Sequence, residues 1–354
     1  MIASLRDKHF RRRLRENVEA YSYLTPAFIV LLVFWFLPVL ISIFVSFTNY
    51  RGGDPIPAKE IWAKVTGQTL PEKSPDAMGM EVRKPRFIGV NNYKNALTDA
   101  EFRKVLFNTL NYALYSVPLT LLAALFAAML INSKIRCVAF FRTVYFLPFV
   151  TTWVAISIVF RYFFHREFGL ANDILLSAGL PRFDWLEEPR GIIEMFLGQF
   201  GLHVRHPLLA GPSLSLFSII LTSIWRDLGY YMIIFLAGLQ NIDRSYYEAA
   251  EIDGANKVQQ FFAVTFPLLS PTTFFLMIIS GINAFKIFVP MLIMTPTGGP
   301  DGTTNTIVFY LYQKGFTGTW RLGYASAVAY ILFLFILILT FVQNKFFGKK
   351  VHYD

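Results

Sequence analysis

An all-α membrane protein with six transmembrane helices is the fold class this sequence predicts, and three observations predict it. Only 16% of the 354 residues are charged while 55% are hydrophobic, whereas roughly a quarter of a soluble domain is charged. Six apolar runs are each long enough to cross a hydrocarbon layer about 30 Å thick. Both ends of the chain are basic, and an even number of crossings places them together on the cytoplasmic side, where Lys and Arg accumulate. The net charge of +10 is spread over ends and loops, so it reads as orientation and headgroup contact rather than nucleic-acid binding.

Residues 1–23 carry Arg6, Lys8, Arg11, Arg12, Arg13 and Arg15 ahead of the first apolar run, 24–48. That run is too long for a signal-peptide core and lacks a small-residue cleavage site, so it stays as a span. Pro38 predicts a kink inside it. Residues 49–105 are polar, with Gly52-Gly53, four prolines between Pro55 and Pro75 and ten Lys or Arg, and form a long outside loop. Spans follow at 106–131 and 139–164, joined by a short basic connection holding Lys134 and Arg136 that belongs inside. From His165 to Pro212 the chain is too broken to cross; Ile192, Ile193, Phe196, Leu197 and Phe200 have the spacing of an interfacial helix. Spans at 213–239, 268–295 and 323–347 complete the six, and 348–354 form a cytoplasmic tail.

The stretch 245–267, SYYEAAEIDGANKVQQFFAVTFP, separates the fourth and fifth spans. Glu248, Glu251, Asp253 and Lys257 exclude it from lipid, where each charge costs about 2.5–3.5 kcal/mol near a helix centre, and the topology puts it in the cytoplasm. Ser245 with Glu248 three residues on has the form of a capping box, predicting a helix that starts there. Gly254 supplies a left-handed helix end, and Asn256 with Gln259 caps a second helix that stops near Pro267. Val258, Phe261, Phe262 and Thr265 recur at helical spacing and predict one packing face. Ala249 and Ala250 keep the first helix low enough for another backbone to approach.

Inside the spans, ionisable groups fall at Arg226 with Asp227 and at Lys286, near Asn283. Such residues face a bundle interior, pair, or line a polar path. Arg226 and Asp227 fit a structural ion pair and a pathway role equally, whereas Lys286, with Pro290 one turn on, points with Asn283 to the path. On a path, the Lys286 ammonium favours an anionic solute without excluding a neutral one. Trp225, Tyr230, Tyr231 and Phe285 have rings that suit sugar faces, although packing is the commoner use of each. The sequence holds no phosphate-cradling G-x-x-x-x-G-K-[ST], no H-E-x-x-H and no G-x-S-x-G, so it assigns no catalytic or metal residue and no cofactor to this chain. His203 and His206 alone are too weak a pattern for a metal, and Cys137 is the sole cysteine.

Glu248-Ala249-Ala250, Gly254 after three residues, and Val264-Thr265-Phe266-Pro267 after nine more resemble the EAA loop of permease subunits in bacterial ABC importers. Leu236–Ile242, Glu251–Ala255, Gly298-Gly299-Pro300 and Gly323–Ala327 look like the carbohydrate-uptake branch, the permeases for maltose, other sugars and glycerol 3-phosphate. Residues 52–84 and 190–212 depart from it as outside insertions. The resemblance implies a type I ABC importer permease fold in the bacterial inner membrane. It also implies a second homologous permease, two ATPase subunits that hold ATP and Mg, and a solute-binding protein that delivers a sugar. It makes Glu248, Ala249, Ala250, Asp253, Gly254 and Pro267 the coupling surface for the ATPase. An ion-gradient-driven secondary transporter needs midplane ion sites and usually internal repeats, which fit poorly with so few buried acids; a non-transporting membrane scaffold is the third reading.

Overall fold

A computed structural model describes residues 16–17, 19, 21–52, 54, 85–133, 137–202, 207–318 and 320–347. The basic residues Arg6 to Arg15, most of the 52–84 insertion, Lys134, Arg136, His203, His206 and the 348–354 tail lie outside them. Among the described residues, five helices are long and apolar enough to cross a membrane: Tyr21–Ser46, Ala100–Asn132, Leu214–Gln240, Ser270–Met294 and Leu322–Phe346. The remaining expected span, 139–164, is not one helix. It is a pair, Val138–Val150 and Trp153–Phe163, bent by 96°, and counting the pair as one crossing gives six. Pro148 and the extended residues Thr151 and Thr152 make the break, and the Thr152 hydroxyl caps the second half by accepting from the Ala155 amide. Apolar composition had concealed this, because both halves are equally lipophilic.

The chain divides into two compact units, residues 1–94 with 314–330, and residues 95–313 with 331–354. In the first, the opening span widens to a π turn over Leu32–Phe36 immediately before Pro38. Proline has no N–H and its ring crowds the carbonyl four residues back, so the extra residue in that turn relieves the clash that the sequence predicts as a kink. The span is exposed along nearly its whole length, Phe34 and Trp35 each at 72%, as suits a surface meeting lipid or another subunit. On either side of the stretch 52–84 the chain forms a closed neck. Thr48 bridges Phe87, the Asn49 amide donates to the Arg86 carbonyl at 3.1 Å, and the Ile88 amide donates to the Phe47 carbonyl at 2.8 Å. Buried Asn92 donates its side-chain amide to the carbonyls of Ser46 and Thr48, both at 2.8 Å. The described residues that flank 52–84 are therefore held side by side.

In the second unit the helix Leu214–Gln240 is central, because it is buried against neighbours on two sides. Met232, Phe235, Leu236 and Leu239 pack on Ala124, Ala127 and Ala128 of the second span, while Leu216, Ile219 and Ile220 pack on Met291 and Phe309. Ala124 and Ala128, one turn apart, leave room for close helix contact, the usual device where water supplies no driving force between helices. Thr222, Ser223 and Ser280 return their hydroxyls to carbonyls four residues back, at 2.9, 2.9 and 2.6 Å, so no partner outside the helix is needed. Between the third and fourth spans, fully buried Asn172 donates to the carbonyls of Arg166 and Phe183 and accepts from the Phe183 amide and the Trp185 indole. A helix forms at Ile192–Gly198, where the spacing predicts one, with Phe196 and Phe200 exposed. Its base is tied by Gly191 bridging Ser213 and by Glu188 bonded to Arg190, whose guanidinium holds the Glu188 carboxyl below its usual range.

The tightest approach in this unit is at Gly229, where an added Cβ would stand 1.8 Å from the Tyr145 carbonyl oxygen. Backbone meets backbone there, so neither side can yield by a rotamer change. At Gly238 a Cβ meets only side-chain atoms, Thr272 Oγ1 at 2.8 Å and Leu269 at 2.9 Å. Gly229→Ala is therefore expected to destabilise by about 1–3 kcal/mol or more and Gly238→Ala by less. Thermal unfolding of the two detergent-solubilised variants checks this; equal melting temperatures would contradict the backbone contact.

Candidate functional site

Arg226, Asp227, Asn283 and Lys286, separated by up to 60 residues in sequence, line a single cavity of about 630 Å³ in the second unit. Tyr112, Ser116, Thr120, Ser223, Tyr230, Tyr231 and Ser280 add polar atoms, and Phe149 and Trp153 add aromatic walls. The cavity lies where two membrane helices are discontinuous. One discontinuity is the bend between Val150 and Trp153; the other falls between Phe285 and Val289, which splits the fifth span. Irregular backbone at membrane depth is tolerated where it lines a cavity, and here both breaks do.

Arg226 is held on every side. One terminal nitrogen donates to Asp227 Oδ1 at 2.6 Å and the other to the Phe149 carbonyl at 3.1 Å. Its guanidinium carbon lies 4.9 Å from the Phe149 ring centre and 4.3 Å from that of Trp153, so cation–π attraction adds to the ion pair. Its Nε is buried without a partner. The group therefore fastens the bent third span to the fourth, and the cavity wall depends on it. Tyr112 donates to Ser223 at 2.8 Å, and Tyr231, almost fully buried, lines the same cavity as Asn283. Lys286 is different. It caps the end of the helix Ser270–Phe285 and is exposed to the cavity, with no carboxylate within ion-pair distance among the described residues.

Of the aromatic candidates, Tyr230 and Tyr231 line the cavity, and Tyr230 is stacked on Phe149 with centres 4.5 Å apart. Trp225 packs on Phe160, and Phe285 is buried against Phe335, both away from it. Phe149 and Trp153 were not singled out by sequence. The signal for them is Pro148 with Thr151-Thr152, a helix stop and a new N-cap inside an otherwise uniform apolar run.

The stretch between the fourth and fifth spans forms two short helices, as expected, with different end chemistry at the first. That helix runs Arg244–Ile252 and its cap is Asp243, whose Oδ1 accepts from the Ser245 amide at 2.8 Å. The Ser245–Glu248 capping box does not form. An aspartate two residues earlier than Ser245 already satisfies the amide, and this bond holds the Asp243 carboxyl below its usual range. Glu248 instead pairs with Arg244 one turn back at 3.1 Å, both side chains well exposed, a contact worth only about 0.3–0.5 kcal/mol. Glu248 is thus free of capping duty, Ala249 is exposed, and Ala250 is half-buried.

Asp253 closes the helix and Gly254 follows at φ +78°. The Ala255 amide reaches the Ala250 carbonyl at 2.9 Å and the Gly254 amide the Glu251 carbonyl at 3.1 Å, the paired bonds of a Schellman end. The Asn256–Gln259 capping box forms with both bonds present, at 2.8 and 2.9 Å. Pro267 does not stop the second helix. A π turn over Phe261–Thr265 absorbs the proline, and the helix continues through Leu268 and a single turn residue into Ser270–Phe285. The same widening breaks the expected packing face: Thr265 is buried and bonded to the Tyr247 hydroxyl at 3.0 Å, whereas Val258 and Phe262 are each 65% exposed.

Residues 101–352 match the family described as "Binding-protein-dependent transport system inner membrane component". The chain belongs to that family. It is thus a multi-pass inner-membrane component of a transport system that depends on a binding protein, and the relatives are permease subunits rather than enzymes. The chain is 32% identical over 351 residues to the Probable ABC transporter permease protein YesP of Bacillus subtilis (strain 168), covering 98% of this chain and 96% of that one. It is 32% identical over 265 residues to the Arabinooligosaccharides transport system permease protein AraP of the same organism, covering 74% and 77%. In fold it matches a chain from the crystal structure of a bacterial alginate ABC transporter in complex with an alginate pentasaccharide-bound periplasmic protein, with a TM-score of 0.68, 20% identity and coverage of 94% and 95%.

Two outcomes follow from this geometry. Arg226→Met leaves Asp227 unpaired among apolar helices, a loss of about 3–5 kcal/mol for a buried pair; adding Asp227→Asn should recover part of the melting temperature, and no recovery would mean that the rings, not the ion pair, hold the guanidinium. No atom lies within 4 Å of a Cβ built on Gly254, so only backbone conformation constrains it. Gly254→Asn should retain the loop and transport, while Gly254→Pro, which loses the amide and cannot reach positive φ, should abolish uptake with the protein still in the membrane, as uptake assays and membrane blots would show.

Proposed function

We propose that this chain forms half of the translocation path of an ATP-driven importer for a sugar or oligosaccharide brought by a solute-binding protein. A second homologous permease supplies the other half. Two ATPase subunits, which hold ATP and Mg, dock on the 245–267 loop from the cytoplasm, the side that also holds both termini. The observation that carries the reading is the cavity. A membrane domain whose helices break in two places, with amide, hydroxyl, indole and ionic groups gathered at the breaks, offers a polyhydroxylated solute hydrogen bonds at a depth where lipid offers none. The name of the relative AraP, an arabinooligosaccharide permease protein, supports a saccharide as that solute.

In the loop, the coupling surface is Glu248, Ala249, Ala250 and Asp253, with Gly254 setting the angle between the two helices and Pro267 marking where the second turns into the fifth span. Ala249 is the exposed member of the alanine pair, so a partner backbone is closest there. Asn283, Lys286, Arg226 and Asp227 are the substrate-path residues, with Arg226 and Asp227 shaping the wall and Asn283 and Lys286 facing the solute.

Two experiments separate the halves of this reading. Ala249→Trp should leave the Schellman end intact yet prevent co-purification of the ATPase with this chain; capture at the wild-type level would remove the docking role. Asn283→Leu should cut saccharide uptake by about tenfold, the equivalent of one or two hydrogen bonds, with the complex still assembled. Undiminished uptake would take Asn283 out of the path.

A further inference from the structure

The cavity does not balance its own charge. Its lining holds two cations, Arg226 and Lys286, and one carboxylate, Asp227. Arg226 and Asp227 are bonded to each other at 2.6 Å, and the guanidinium is further enclosed by the Phe149 carbonyl and two aromatic rings. That pair is neutral to the cavity. Lys286 is left as a single positive charge with no ion-pair or hydrogen-bond partner for its ammonium among the described residues. Its position eases this only in part. It caps the C-terminal end of Ser270–Phe285, where the helix dipole favours a cation without neutralising it.

We propose that Lys286 is a specificity residue whose ammonium pairs with a monoanionic group on the transported sugar, a uronic-acid carboxylate. This rests on the reading of the cavity as a sugar path and adds the charge of the substrate to it. The chemistry favours a carboxylate over a phosphate: one free cation matches one negative charge, whereas a phosphate near pH 7 carries close to two and is ordinarily met by several donors or an Arg fork. Asn283, three residues before Lys286 and so on the same helix face, is placed to bond a hydroxyl next to the carboxylate. Arg226 is already neutralised by Asp227 and held by the Phe149 carbonyl, which leaves Lys286 as the cation without a counter-charge.

The test uses the assembled importer in cells with three probes: trigalacturonate, its neutral methyl ester, and an arabinotriose. Trigalacturonate uptake should fall about tenfold or more in Lys286→Met, as expected for loss of a charge-assisted contact, and remain substantial in Lys286→Arg, while methyl-ester uptake changes little. An equal fall for acid and ester in Lys286→Met, or no fall for the acid, would overturn the charge role. Uptake of arabinotriose with neither galacturonate probe taken up would also overturn it while leaving the sugar path standing. Uptake of none of the three by the wild-type complex would remove both readings together.

Discussion

A cation cannot sit among membrane helices unless the protein itself supplies what water would have supplied, and the architecture of the second unit follows from how Arg226 meets that demand. A carboxylate on the next residue, a carbonyl freed at the break of the third span, and the faces of Phe149 and Trp153 enclose it. The carbonyl is available because Pro148 and Thr151 have ended the helix there. The bend and the guanidinium therefore depend on one another: without the bend no ring or carbonyl reaches Arg226, and without Arg226 the freed backbone has no partner. Gly229, one turn along, allows the backbones to come close enough for this to happen.

The same logic of breaks governs the fifth span. A nearly continuous helical path leads from the capping box at Asn256, through the π turn before Pro267, to Phe285, and ends at Lys286 in the cavity wall. A stiff element thus joins the polar loop to the polar cavity. In the proposed importer this gives a physical route by which a displacement at the loop alters the cavity. The loop is braced for it, with a Schellman end at Gly254, a double-bonded cap at Asn256 and the Tyr247–Thr265 contact fixing the angle between its helices. Proline positions mark the device. At both Pro38 and Pro267 the helix widens by a π turn instead of ending, which keeps it rigid while changing its direction.

The chain on either side of the two long connections is handled differently from the spans. The neck formed by Thr48 with Phe87 and by Asn92, and the tie of Gly191 to Ser213, each close the chain before it departs. Contacts of this kind fix the ends of each connection whatever its length, because the entropy of closing a longer loop grows only slowly.

Much of this was legible in the residues. Hydropathy located the spans, since lipid admits only helices whose backbone groups pair internally. Local cap chemistry located Gly254 and the Asn256–Gln259 box, since those bonds reach only a few residues along the chain. The rarity of charge in lipid picked out Arg226, Asp227 and Lys286. What the tertiary structure decided was everything that depends on partners distant in sequence. Nothing near Lys286 says that it meets no carboxylate, nor does the stretch around Arg226 say that Phe149 and Trp153 close on the guanidinium. Even locally, two helix-end rules competed at Ser245, and Asp243 prevailed because it bonds the amide of Ser245 itself. Periodicity reports which way a side chain faces on its own helix; which neighbour waits there is set by packing, and the charge left over in the cavity is a sum over the fourth and fifth spans that no single stretch of sequence contains.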